Sequence, residues 1–231
     1  MIWEADRNNP VLLASESFSF PHPEKSDQQG LLAFGGDLSP PRLLAAYRQG
    51  IFPWFEPGRP ILWWSPNPRL LLFPHEFKMT RSLKQRLKQP YHITFDTHFS
   101  KVIEACASVD QRLDNTWISE SMQQAYGELH QLGFAHSVEV WLDEELVGGL
   151  YGISLGRAFF GESMFHYDRD ASKIALYYLC QKLIDWQFDF IDCQLPTPHL
   201  QRLGAKIISR KAFLHRLQET LAHPSRIGVW S

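Results

Sequence analysis

The stretch FIDCQLPTPH, residues 190–199, sets an acid and an amide two positions apart, Asp192 and Gln194, at the end of an apolar run. Side chains two apart on a strand point to the same face. A strand over Phe188–Gln194 therefore turns both to one side. A carboxylate that accepts from the Gln194 amide nitrogen would orient that amide and leave its oxygen free to accept from an amine. The plainer alternative is that Asp192 holds backbone amides at the strand end, with Gln194 merely partnering it.

The frame that must hold such a pair is a chain of 231 residues, 44% of them hydrophobic and 13% aromatic, with eight tryptophans. That is enough apolar material for one large domain or two small ones. No run reaches the ~18 apolar residues of a membrane helix, and the polar, acidic start MIWEADRNNP is no signal peptide. The three cysteines, Cys106, Cys180 and Cys193, have neither zinc-site nor disulfide-framework spacing, which predicts a reducing, cytoplasmic setting. Net charge is −2, yet residues 78–88 and 201–216 hold ten of the 23 Lys and Arg and no acid. Two such runs suit a polyanionic partner; one alone is more often a solvated helix face.

Ser39 and the prolines behind it open a helix that closes at Gly50. Prolines then recur through residues 52–74, which predicts ordered loop with short edge strands and a domain junction near residue 66. This divides the chain into a small N-terminal domain, residues 1–66, and a second domain, residues 67–231. Thr80 caps a basic helix that ends before Pro90, and a short strand follows over Tyr91–Phe95. Helices over Thr97–Ala107 and Ser119–Leu132 come next. The alternation of Ala135–Leu142 reads as a half-buried strand. Strands over Leu146–Ile153 and Ala158–Phe165 are joined by the hairpin SLGR. A long helix over Asp170–Trp186, with Ile174, Tyr177, Tyr178, Cys180 and Ile184 toward one side, precedes the strand that carries Asp192. Helices near 198–203 and 209–222 end the chain. The fold class is α/β (α+β): a mixed sheet flanked by helices.

That order resembles the acetyltransferase fold. The place where such enzymes cradle a pyrophosphate reads GESMFHYDRDASK, with one glycine and three acids, which argues against coenzyme A. The motifs GGDLSPPRLLAAYRQGIFPWF, WWSPNPR, TWIS, AHSVEVW, LVGGLYG, GESMF, DCQ and HLQRLGA, in that order, resemble the leucyl/phenylalanyl-tRNA–protein transferases. The resemblance runs from about Gly30 to about Lys211. It implies transfer of Leu or Phe from its tRNA to a protein with N-terminal Arg or Lys, forming a peptide bond and marking the acceptor for N-end-rule degradation. It implies no metal and no cofactor; a monomer is expected. Rival readings are a coenzyme A-dependent N-acyltransferase and a non-catalytic tRNA or N-degron binding module.

An aminoacyl ester is already activated, so placing an amine against it can supply roughly 7–11 kcal/mol of the barrier. The family's proposed catalytic pair carries onto Asp192 and Gln194, although an amide is too weak to be a true base. Glu162 and Ser163 fall in the substrate site by resemblance. Glu162 would meet the acceptor's basic side chain or its α-ammonium; the internal alternative is an ion pair with Arg157 or Lys173. Met164, Leu150, Leu179 and Ile191 match the positions that line a deformable pocket for Leu or Phe. Each is also an ordinary core residue. Trp54 and Trp117 match the pair that sandwiches the terminal adenine, with Tyr47 and Tyr126 in support. Trp63, Trp64 and Trp141 are left to core or interface. Arg81, Lys84, Arg86 and Lys88, on the basic helix, would meet the acceptor-stem phosphates.

Overall fold

The computed structural model describes residues 10–14, 17–108 and 116–231. Near its start, β1 (Val11–Leu13), β2 (Leu31–Gly35), β3 (Phe52–Pro53) and β4 (Leu62–Trp64) form a small sheet in the order β1-β2-β4-β3. Between β2 and β3 runs α1 (Pro40–Tyr47), with Ser39 at its N-cap and prolines in its first turn. Past its end the chain reverses at Gly50, where φ is +71° and an added Cβ would lie 2.6 Å from the Phe213 ring. Only glycine combines that backbone angle with that approach.

The second sheet has seven strands. They are β5 (Arg69–Leu72), β6 (His92–Phe95), β7 (Ala135–Leu142), β8 (Glu145–Leu155), β9 (Ala158–His166), β10 (Phe190–Asp192) and β11 (Lys206–Ile208), ordered β11-β5-β10-β9-β8-β7-β6. Every pair in it is antiparallel except β9 with β10. Helices α2 (Arg81–Arg86), α3 (Phe99–Ser108), α4 (Glu120–Gln131), α5 (Ala171–Asp185), α6 (Pro198–Arg202) and α7 (Arg210–Leu221) complete the order. The parallel step follows from α5, which carries the chain back to start β10 beside β9.

Two apolar clusters share the interior. One joins Leu150, Ile174, Leu179, Leu183 and Ile191 between the large sheet and α5. The other runs from Leu32 and Trp63 in the small sheet through Tyr47 to Phe99, Tyr126, Tyr151 and Phe213. The small sheet therefore packs onto the helices of the large one through continuous core. The mixed α/β reading is correct.

Several local expectations differ. Residues 52–74 contain β5, an interior strand lying between β11 and β10 rather than an edge. Its prolines, Pro68 and Pro74, flank the run RLLL without interrupting it. Strand β7 is buried from Ala135 through Val140, not half-buried, because its polar residues find partners inside. His136 bonds Asp96, and Glu139 accepts from Thr94, Thr97 and Ser137. On α5 the buried side chains include Leu176, Leu179 and Leu183, whereas Ile184 is exposed. Strand β10 stops at Asp192, two residues short of the expected end. Among the described residues no helix is long and apolar enough to cross a membrane.

Candidate active site

Strands β9 and β10 run side by side only as far as Phe160 opposite Asp192. Beyond that point β9 continues through Glu162 to His166 while the other chain turns away through Cys193 and Gln194. A cavity of about 680 Å³ opens in the gap, lined among others by Glu162, Ser163, Met164 and Gln194. The separation depends on Gln194, whose φ of +61° is left-handed. Few non-glycine residues adopt that region, and it ends the two-residue alternation of a strand.

Asp192 and Gln194 therefore do not share a strand face. Asp192 is wholly buried and accepts from the Gln194 backbone N–H at 2.9 Å, not from its side-chain amide. Its two oxygens also take a forked pair of bonds from Arg69, Nε at 2.9 Å and an amino group at 2.6 Å. The guanidinium in turn lies over the rings of Phe213 and Phe52, at 4.4 and 5.0 Å. Arg69 thus links β5 to β10 and pins the turn that presents Gln194. It was missed in the sequence. The signal was there: a lone cation opening the run RLLL demands a buried acid.

The Gln194 amide nitrogen donates instead to Glu162 Oε1 at 2.8 Å. Tyr47, from α1, also donates to Oε1, at 2.7 Å, and Tyr126, from α4, donates to Oε2 at 3.0 Å. The two phenols touch each other as well. No ion pair with Arg157 or Lys173 forms; Lys173 pairs with Asp170. Burial raises the pKa of Glu162 to about 7 against its hydrogen-bond donors, and the nearby charge of Asp192 adds to the rise. Burial, and then the Glu162 charge, push both phenols well above the ordinary tyrosine range.

A stability consequence follows from Glu162. Its folded pKa lies above the unfolded one, so the folded state holds the extra proton between about pH 4.5 and about pH 7. Wild-type stability from this group is therefore lost as pH rises through that window. Glu162→Gln, which imitates the protonated form, should gain on wild type across the same interval and run parallel to it outside. Thermal melts of both proteins against pH check this; a constant difference would contradict it.

Leu150, Leu179 and Ile191 are buried and, with half-buried Met164, line the apolar side of the cavity. Phe159 and Leu176 line it too and were not anticipated. So do Thr197, which caps α6 through its hydroxyl, and the unanticipated Arg169 and His199. Trp117 is at the cavity wall. Trp54 is outside the lining, 44% exposed, with its ring 5.8 Å from that of Trp64. Tyr47 and Tyr126 are buried, with their hydroxyls on Glu162.

Helix α2 is capped by Thr80, whose hydroxyl accepts from the Leu83 N–H, and it ends at Arg86, before Lys88. Arg81, Lys84 and Lys88 are exposed. Arg86 is not free for phosphate, because it bonds Asp168 and Tyr91. In the second basic run, Arg210 bonds Ser26 and the Ser65 carbonyl, and Lys206 pairs with Glu76. Cys106, Cys180 and Cys193 are free thiols. Among the described residues no group of three or more His, Cys, Asp or Glu could hold a metal ion.

Residues 71–218 match the family described as leucyl/phenylalanyl-tRNA protein transferase, and residues 36–67 match that family's N-terminal domain. A leucyl/phenylalanyl-tRNA–protein transferase of Legionella pneumophila (strain Lens) is 63% identical over 215 residues, 93% of this chain and 97% of that protein. One from Desulfatibacillum aliphaticivorans is 55% identical over 224 residues, 96% of each. Solved structures similar to this chain include a GCN5-related N-acetyltransferase from Kribbella flavida, with a TM-score of 0.38 and 8% identity over 74% of this chain and 61% of that one.

Proposed function

The chain belongs to the leucyl/phenylalanyl-tRNA protein transferase family, and on that premise we propose how its cavity carries out aminoacyl transfer from tRNA to protein. The observation that carries the reading is a single cavity with an apolar side, Leu150, Met164, Leu179 and Ile191, and a polar one, Glu162 and Gln194. The apolar side receives the Leu or Phe side chain, and Met164 adapts to either. The ester carbonyl then faces the polar side. With its nitrogen committed to Glu162, the Gln194 amide presents its oxygen to the incoming amine. Asp192 acts at one remove, holding the turn through the Gln194 backbone and Arg69.

The acceptor is a protein with N-terminal Arg or Lys. The acid on the cavity wall that favours a cation is Glu162, which pairs with neither Arg157 nor Lys173, whereas Asp170 is already paired with Lys173. The product is a destabilising N-terminal residue, made by a monomer acting in the cytoplasm. Residues 1–66 act as a small N-terminal domain and residues 67–231 as the catalytic one. Trp117, at the cavity wall, and the exposed Trp54 hold the terminal adenine by stacking, worth ~1–3 kcal/mol per base. Arg81, Lys84 and Lys88 meet the backbone of the acceptor stem.

Transfer of radiolabelled Leu from Leu-tRNA to an Arg-starting peptide, with a Glu-starting peptide as control, tests the function. No labelled Arg peptide would end the reading. For the tRNA surface, affinity for Leu-tRNA should fall steeply with salt. Arg81→Ala and Lys84→Ala should each reduce the slope of log affinity against log salt by about one. An unchanged slope in both would remove α2 from the interface.

A further inference from the structure

We propose that Glu162, closed into a ring with Tyr47 and Tyr126, is the group that takes the proton released when the acceptor's α-amine attacks the aminoacyl ester. This rests on the transferase reading above.

The ring has three contacts: Tyr47 to Tyr126, Tyr47 to Glu162 Oε1, and Tyr126 to Glu162 Oε2. Each hydrogen bond needs one proton. Two neutral phenols bring two, and an ionised carboxylate brings none. Gln194 supplies the proton of its own bond to Oε1 and nothing to the ring. With Glu162 charged, the ring is therefore one proton short. With Glu162 protonated it closes head to tail: Oε2–H to Tyr126, Tyr126 to Tyr47, and Tyr47 to Oε1. The same side-chain positions serve both states, so one proton enters or leaves without rearrangement.

The reaction must dispose of one such proton. An α-amino group has a pKa of about 7.7–8.0, so most acceptor is ammonium at neutral pH. Ammonium and ester give amide, free tRNA hydroxyl and one proton. One N–H proton passes to Glu162, and the neutral nitrogen bonds to the carbonyl carbon. The ester C–O bond then breaks, and the departing oxygen takes a second proton from the nitrogen. The proton on Glu162 goes to solvent before the next cycle.

Other groups near the gap suit this step less well. Asp192, on β10, is wholly buried and both its oxygens are held by Arg69. The amide of Gln194 is not basic. Burial pushes the Cys193 thiol well up, so it carries its proton throughout. On β8, Tyr151 packs edge-on against Tyr126 and is buried. Across the cavity, Lys173 is paired with Asp170, and the Arg169 guanidinium is a donor with no acceptor site. The competitors are His166, on β9 beside the Ser172 hydroxyl, and His199, on α6, which burial and neighbouring cations hold toward its neutral form.

The test is kcat against pH, from about pH 5.5 to about pH 9, with Leu-tRNA and an Arg-starting peptide both saturating. Glu162→Gln should lower kcat by about 100-fold or more, with a residual rate that climbs with pH as free amine accumulates. Tyr47→Phe and Tyr126→Phe each remove a donor to the charged carboxylate. Each should move the acid limb of the profile to higher pH by about one unit. If Glu162→Gln fails to fold, those two shifts decide the matter. A Glu162→Gln enzyme with normal kcat and only a raised KM for peptide would overturn the proposal. So would loss of the acid limb in His166→Gln or His199→Gln, or tyrosine variants with unmoved profiles. Absence of transfer by wild type would instead overturn the function itself.

Discussion

Asp192→Asn is expected to lower stability by about 3 to 5 kcal/mol, a fall in Tm of about 10 °C, and to remove most transfer activity. The reason is the forked ion pair with Arg69, whose guanidinium is 1% exposed. An Asn in place of Asp192 turns an N–H donor toward one arm of the fork and leaves the guanidinium charge uncompensated inside the protein. Arg69→Met should cost a similar amount from the other side, by stranding the Asp192 carboxylate. The double variant Arg69→Met/Asp192→Leu separates the two consequences. Replacing both charges by apolar groups of similar size is often near neutral, so Tm should return toward wild type. Transfer should not return, because no oxygen then holds the Gln194 N–H. Circular dichroism melts and the labelled-peptide assay check both halves. A double variant that recovered both would show that Asp192 does not position Gln194. Failure to recover either would mean that the pair's volume, not its charge, is what the core requires.

This pair also marks how far the sequence could be read. The acid and the amide stood out at two-residue spacing, and the long periodic elements were legible: α4 with its Ser119 cap, the β7–β8–β9 meander, and α5. What periodicity could not supply was the partner of Asp192, because Arg69 lies 123 positions away on a strand bounded by prolines. Nor could it show that the strand stops at Asp192. Alternation put Gln194 on the same face as Asp192, but a left-handed backbone at Gln194 turned it toward Glu162 instead. The apolar lining was legible residue by residue only through the resemblance, since Leu150, Leu179 and Ile191 look like any core. Tyr47 and Tyr126 were named for the adenine. Their meeting under Glu162 needs α1 and α4 to pack together, which is tertiary information.

Gln194→Gly should separate chemistry from folding in the opposite sense: stability within about 1 kcal/mol of wild type, and kcat down by about 100-fold or more. Three stability effects nearly cancel. Glycine relieves the left-handed φ of +61°, a gain of ~1–2 kcal/mol for a residue with a Cβ. It adds backbone freedom to the unfolded chain, a loss of roughly 0.5–1 kcal/mol. It also deletes the amide bond to Glu162, a loss of roughly 1 kcal/mol. The backbone bond to Asp192 survives, so the turn keeps its shape. The activity loss has nothing to offset it, because the amide oxygen that would receive the attacking amine is gone. Gln194→Asn sharpens the comparison. Asn tolerates left-handed backbone and keeps an amide, but one methylene shorter, so its nitrogen cannot span to Glu162 from the same turn. It should fold like wild type and transfer poorly. If Asn transferred as well as Gln, the span from the turn to Glu162 would not matter. If Gly lost several kcal/mol, the side chain would be structural cement for the β9–β10 gap, and the case for Gln194 as a contact of the reacting amine would fall with it.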